Sequence, residues 1–434
     1  MLERTIIQSR GCKNVTLPNG KPGFQFQIRN PNYRGVQASL VDGIDIKLDG
    51  LSYEFDSALW TLQGETYRLE QLRQSVDVRW QLDELATITL PVEQPIQCGV
   101  HDLFVCVFIR RPYIPAQFSR SPFKTSKKVV VVDKDDSASN IKLGVSTYSY
   151  SGDINTLMTL EDVMADMADI GASGLEMLSE GDIPGYPNIS STWLDNWFRL
   201  LDQYTLQPTN LGTWVDTNMW LDRDLTVAEG VAQIQKDLQI ASQLGFSSIR
   251  PKFGVTSLDL LPHPIWREAV ERSLELANKL NIVICPEIHS PTPIKHIITQ
   301  GYIDFIEETK TDHFKLIVDT GIFQTAPCDD GHEGIELKPG QKRPPFLEPL
   351  KVPMADLAEI LPHVHFIQSK FFEVDDQLND LHVPWSDIVQ TLEANNWSGW
   401  LSSEYEGRRE SYRGRDQIRR QHALLRSLLN QNNH

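Results

Sequence analysis

Two patterns of apolar and polar positions divide this chain. Up to about residue 130 the two kinds alternate singly, as in Phe24-Gln25-Phe26-Gln27-Ile28, Ile44-Asp45-Ile46-Lys47-Leu48 and Ala86-Thr87-Ile88-Thr89-Leu90, alongside the apolar run Leu103-Phe104-Val105-Cys106-Val107-Phe108-Ile109. Single alternation sends successive side chains to opposite faces, so each segment predicts a half-buried strand. Turn signals at Pro18-Asn19-Gly20 and Leu48-Asp49-Gly50 separate them, and strands at this spacing predict a β-sandwich over residues 1–132. Asp133 to Asn140, eight polar or small residues, reads as a linker, 133–140.

From 141 to 434 short apolar strands alternate with amphipathic helices. The strands are expected over 142–147, 174–178, 207–211, 247–250, 282–285, 315–318, 364–368 and 399–402. Eight is the count that closes a parallel (β/α)8 barrel, an α/β fold. Helices expected over 159–170, 226–244 and 264–280 suit its right-handed crossovers. Residues 321–352, rich in Gly, Pro and charge, exceed an ordinary barrel loop and are expected to form a flap.

The barrel gives four polar residues a common meaning. Glu287 in IVICPEIHSP, Asp319 in LIVDTG, Gln368 in VHFIQSKFF and Glu404 in GWLSSEYEG each end a short apolar run, on strands five to eight. The carboxyl edges of parallel barrel strands open on one rim, so the four should converge. Three carboxylates and an amide brought together repel one another and stay poorly paired without a cation, which points to a divalent metal ion. An all-oxygen donor set favours Mn²⁺, with Mg²⁺ as the alternative. A single acidic strand end can equally cap the next helix; four in succession weigh against that.

His289, two residues beyond Glu287, shares its side of an extended segment and suits a catalytic base, because imidazole titrates near neutrality. The plainer alternative is a ring that satisfies a loop carbonyl. Lys370 is expected to steady a developing oxyanion and Glu176 to serve as a second acid or base. For these two, as for Arg250 and Lys252, a rim ion pair is the alternative. His365 is expected to pack rather than ligate. Tyr148, Tyr150, Tyr186, Trp214 and Trp220 crowd the same loops, as aromatics facing a sugar ring or flat polyphenol would, or as ordinary core.

Composition narrows the class. With 434 residues, 40% hydrophobic and 23% charged, the chain has the profile of a soluble two-domain protein. No window approaches the roughly 18 apolar residues of a membrane span, and Met1-Leu2-Glu3-Arg4 leads into no signal-peptide core, so a cytoplasmic location without membrane association is expected. The five cysteines lack CxxC spacing and read as packing residues. Residues 1–132 hold 16 Lys or Arg against 13 Asp or Glu, a balance of +3, which leaves −20 of the net −17 on the remainder. So acidic a barrel repels phosphates and excludes nucleic acid as a partner.

The acid and amide order on the last four strands resembles the xylose isomerase-like barrels. Within them CPEIHSPTP, IVDTG, IQSKFFEV and SSEYEG most resemble the large subunit of bacterial C-glycoside deglycosidases. GFQFQIRNPNYRGVQASLVDGIDIKLDG, VRWQLDELATITL and HDLFVCVFIRRPYIP resemble the small subunit, so the chain looks like both subunits joined, small subunit first. The resemblance implies a metal-dependent lyase that removes the C2 proton of a 3-keto glycoside, an aromatic C-glycoside in the first instance, and eliminates the aglycone. An upstream sugar 3-oxidoreductase would supply the ketone, and a homo-oligomer is expected. The alternative is a sugar isomerase or epimerase using the same enediolate. Gln368 departs from the wider family, where histidine is the commoner ligand.

Overall fold

The computed structural model describes residues 2–134, 140–255, 259–328 and 348–431. They form two compact units, Met1–Asp133 with Asp376–Leu378, and Lys134–Asp375 with Asn379–His434. The expected linker falls mainly on 135–139 and the expected flap mainly on 329–347, outside the described residues.

The first unit holds two main antiparallel sheets. One places Lys13–Thr16, Pro22–Arg29, Leu85–Pro91, Leu59–Leu62 and Glu65–Tyr67 side by side; the other places Arg120–Val131, Gly99–Arg110, Val41–Leu48 and Leu51–Ser52. Phe24, Phe26, Ile28, Ile88 and Leu90 from the first share a core with Ile44, Ile46, Val105, Val107 and Val129 from the second. This is the sandwich that the alternation predicts. Arg120–Val131 escaped the sequence reading although it pairs with Gly99–Arg110 along its whole length. It is an edge strand buried only at its last three residues, so most of it carries no apolar alternation.

In the second unit the parallel strands are β1 (Ile141–Ser146), β2 (Gly174–Leu178), β3 (Gln207–Val215), β4 (Ser248–Phe253), β5 in two pieces (Val283–Ile284 and Glu287–Ile288), β6 (Leu316–Asp319), β7 (Val364–Phe371) and β8 (Gly399–Tyr405). Cys285-Pro286 divides β5, since proline has no N–H for the ladder. The earlier piece pairs with β4 and the later with β6, while Ile284 also bridges Phe314 and the Pro286 carbonyl accepts from Ile317 N at 2.9 Å. β8 pairs with β1, and the ring closes as an eight-stranded barrel.

Three of the four polar strand ends are placed differently from expectation. Gln368 and Glu404 lie within β7 and β8, whose pairing continues through Lys370↔Glu404 and Phe371↔Tyr405. Glu287 opens the second piece of β5 instead of ending the first. Only Asp319 ends its strand. Long strands carry these side chains up inside the barrel mouth, where successive inward positions fall two residues apart.

Helices Leu160–Asp169 and Val227–Leu244 begin at capping boxes, Thr159 with Asp162 and Thr226 with Glu229. The helix expected over 264–280 divides into Trp266–Glu271 and Leu274–Leu280. Between them the Ser273 hydroxyl donates to the Ala269 carbonyl at 2.8 Å, a bond that competes with regular helix geometry. The last helix, Arg413–Gln431, is tied to Leu160–Asp169 by a buried ion pair of Arg415 with Asp166 and a partly buried one of Arg419 with Asp169 at 2.7 Å. No helix among the described residues is long and apolar enough to cross a membrane.

Candidate functional site

Strand alternation aims Gln368 and Lys370 from β7, and Ser402 and Glu404 from β8, to one side, with Glu406 two residues further on. Lys370 is the hub. Its Nζ lies 2.7 Å from Asp319 Oδ2, 2.6 Å from Glu406 Oε2 and 3.6 Å from Glu404 Oε1, and it donates to His289 Nε2 at 2.7 Å. The His289 Nδ1–H donates to the Ser290 carbonyl, which can only accept, so the ring's lone pair is on Nε2. That nitrogen is 3.5 Å from Asp319 Oδ2. Glu287, His289 and Asp319 each offer a donor atom within 4.8 Å of the others. Gly321 keeps the far wall open, because a Cβ there would stand 2.9 Å from Asp319 Oδ1 and 3.0 Å from Lys370 Cδ.

Arg250 on β4 closes the cluster with Nη1 3.2 Å from Glu287 Oε2, the arginine buried and the glutamate partly so. Gly212 on β3 leaves space for the guanidinium: a Cβ there would come within 2.8 Å of Nη2. Two residues before Lys370, Gln368 donates from Nε2 to Glu176 Oε1 at 2.9 Å. Glu176, expected as a second acid or base, is fully buried, and it also receives Asn210 Nδ2 at 2.9 Å and the Ser402 hydroxyl at 2.7 Å. It meets side chains, not open space.

Burial sets the baseline electrostatics and the charges then divide it. Burial alone would raise the Glu287 carboxyl, but the cations around it, Arg250 first and then Lys252 and Lys370, outweigh it and hold Glu287 down to about 2. For Glu404 burial prevails, and with Asp319, Glu176 and Glu406 adding repulsion it rises well above the carboxylate range despite Lys370. Burial would lower the Lys370 amine, yet Asp319, Glu406, Glu404 and Glu287 raise it well above its usual value. Carboxylates outnumber cations here, and the excess is what a divalent ion would neutralise.

The side chains fit such an ion. Asp319 Oδ2 and Gln368 Oε1 are buried without a hydrogen-bond partner among the described residues, although Asp319 Oδ2 is ion-paired with Lys370. Carboxylate and amide oxygens with one imidazole suit Mn²⁺ or Mg²⁺ better than a thiophilic metal. Glu287, Asp319, Glu404, His289 and Lys370 therefore converge as the sequence suggests, with Gln368 and Glu176 adjoining.

Other expectations fall elsewhere. Lys252 is exposed, Tyr186 donates to Asp237, and Trp220 lies against Arg223 with its ring 3.8 Å from the guanidinium. Burial lowers the His365 imidazole near the start of β7, as its expected packing role implies. The sequence reading missed Glu406, which holds Lys370 and accepts from the Tyr148 hydroxyl at 3.2 Å. The period-two spacing of Glu404 and Glu406 in SSEYEG was the available signal.

Known proteins match both units. The family model of the C-glycoside deglycosidase beta subunit matches residues 2–113, and that of the xylose isomerase-like TIM barrel matches residues 164–428. The C-glycoside deglycosidase alpha subunit of Arthrobacter globiformis is 24% identical over 338 residues, covering 67% of this chain and 93% of that protein. The 3'-dehydrocarminate deglycosidase alpha subunit of a Microbacterium species is 23% identical, covering 61% of this chain and 88% of the relative. The C-glycoside deglycosidase beta subunit of Eubacterium cellulosolvens is 31% identical over 115 residues, 26% of this chain and 78% of the relative. The chain therefore belongs to the xylose isomerase-like TIM barrel family and carries, ahead of its barrel, a domain of the C-glycoside deglycosidase beta-subunit type.

Proposed function

We propose that this protein is a divalent-metal-dependent lyase that releases the aglycone from 3-keto glycosides, aromatic C-glycosides foremost. The observation that carries this reading is the convergence of Glu287, His289 and Asp319 within 4.8 Å beside the buried Lys370. Its kinship with alpha and beta deglycosidase subunits supports the same reading.

Glu287, Asp319, Gln368 and Glu404 would hold the ion, Mn²⁺ in the first instance and Mg²⁺ as the alternative. When bound, the ion supplies a Lewis acid at the sugar's 3-keto oxygen. His289 Nε2, once released from its hydrogen bond with Lys370, would take the proton from C2, which the neighbouring ketone acidifies. The C2–H electron pair becomes a C2–C3 double bond, and the charge develops on O3. Lys370, an ammonium in this setting, would turn from His289 to steady that oxygen. Return of the electrons restores the carbonyl, forms a C1–C2 double bond and breaks the bond from C1 to the aglycone, which leaves with a proton. Tyr148, whose hydroxyl donates to Glu406, and Trp214, whose ring lies beside Arg250, would suit the faces of the sugar and aglycone, whereas Tyr150 is buried in the core.

The test is incubation of metal-loaded and chelated protein with matched 3-keto C- and O-glycosides. Free aglycone and an unsaturated anhydro-ketosugar, formed only with metal, are expected. Undiminished turnover after chelation would sink the metal reading. A ketose or epimer from an unsubstituted sugar, without aglycone release, would favour an isomerase or epimerase.

A further inference from the structure

Five strands contribute to a polar cluster centred on Glu176 of β2. Asn210 of β3 and Gln368 of β7 both donate their side-chain N–H groups to Glu176 Oε1 at 2.9 Å, and Ser402 of β8 donates to Oε2 at 2.7 Å. Ser248 of β4 in turn donates to Asn210 Oδ1 at 2.9 Å. These side chains are buried, between 0% and 2% exposed. The Gln368 amide has one end spent on this cluster, and its other end, Oε1, is buried without a hydrogen-bond partner among the described residues.

A glutamine presents either an N–H₂ or a carbonyl oxygen to a given direction, and only the oxygen can ligate a cation. Left to rotate, Gln368 would gain nothing from choosing one orientation over the other. Glu176 removes the choice. Oε1 accepts from two amides whether or not the carboxyl carries a proton on Oε2, so the preference does not depend on its ionisation. A flipped Gln368 would set two oxygens against each other in a buried site, at the full cost of an unsatisfied pair.

We infer that Glu176 is a positioning residue that locks the Gln368 side chain with its amide nitrogen inward and its oxygen toward the metal site, allowing glutamine to serve where histidine is commoner. The inference rests on the proposed metal reading. A histidine ring can be oriented through its second nitrogen, and Glu176 gives the amide an equivalent anchor.

The experiment is Mn²⁺ affinity, read by paramagnetic resonance titration of the full chain, with thermal melting as the control for folding. Glu176→Leu should weaken Mn²⁺ binding by about 10- to 100-fold, the usual effect of losing a partner that orients a ligand. Glu176→Gln keeps an acceptor oxygen for both amides and should stay within about threefold of wild type. In a Gln368→Leu background, Glu176→Leu should produce no further loss, because no amide remains to orient. If Glu176→Leu does not fold, Glu176→Asp replaces it, since a shorter side chain withdraws the acceptor from Gln368. Equal losses from the position 176 change in both backgrounds, or wild-type affinity without Glu176, would overturn the inference. Absence of Mn²⁺ binding by the wild-type chain would instead overturn the metal reading beneath it.

Discussion

The Lys370 ammonium and the Asp319 carboxylate stand 2.7 Å apart, each no more than 4% exposed at the side chain. Glu406 and Glu404 press on the same nitrogen, so one cation balances several carboxylates. Replacing Lys370 with Met removes that balance and should destabilise the metal-free protein by about 3 to 5 kcal/mol, the usual cost of stranding a buried charge. Saturating Mn²⁺ should recover part of the loss, because a ligand that binds only the folded state stabilises it. The check is the melting temperature of both proteins with and without metal; an equal shift in the two conditions would separate Lys370 from the metal site.

His289→Ala separates a base from a ligand. The imidazole Nε2 stands 2.7 Å from Lys370 Nζ and 3.5 Å from Asp319 Oδ2. As the base, its loss should reduce turnover of a 3-keto glycoside by about 10² to 10⁴ and slow deuterium exchange at C2, with Mn²⁺ affinity nearly unchanged. A parallel collapse of Mn²⁺ binding would reassign His289 as a ligand.

Gly212→Ala tests a packing relation that supports the charge cluster. Its new Cβ would lie 2.8 Å from Arg250 Nη2, displacing the guanidinium from Glu287. Overpacking of this kind costs about 1 to 3 kcal/mol. Urea unfolding should show that loss, while Gly64→Ala, at a positive-φ position with no atom near its Cβ, should show only a backbone penalty and no change in Mn²⁺ affinity.

Asp237 offers a pH test away from the cluster. Burial raises its carboxyl to about 6 from the ordinary 3.8, against the hydrogen bond from Tyr186. The folded state therefore binds more protons than the unfolded state between those values, and stability contributed by this group is present at low pH and lost as pH rises through about 6. The two-unit gap corresponds to about 3 kcal/mol at most. Asp237→Asn removes the dependence, so its stability advantage over wild type should grow from about pH 4 to pH 6 and level off above. Melting curves across that range decide it; parallel curves would contradict the assignment.

The sequence by itself determined the division into an alternating β unit and a barrel, and it pointed to Glu287 and Asp319 as candidate site residues. Single alternation marks Phe24 to Ile28 as a sheet face, and buried runs such as Leu316-Ile317-Val318 mark barrel strands, because burial on one or both faces is written directly in the period of apolar residues. Asp319 and Glu287 were legible because a charge beside such a run needs a reason. What the period could not give was where β7 and β8 stop, since Gln368, Lys370 and Glu404 are polar yet lie inside a water-poor barrel. Only the closed ring decided that Lys370 binds Glu406, that Arg250 holds Glu287 and that Glu176 grips Gln368, residues up to 192 positions apart in the chain. Pairings of this kind depend on strand order and register around the barrel, and a local pattern contains neither.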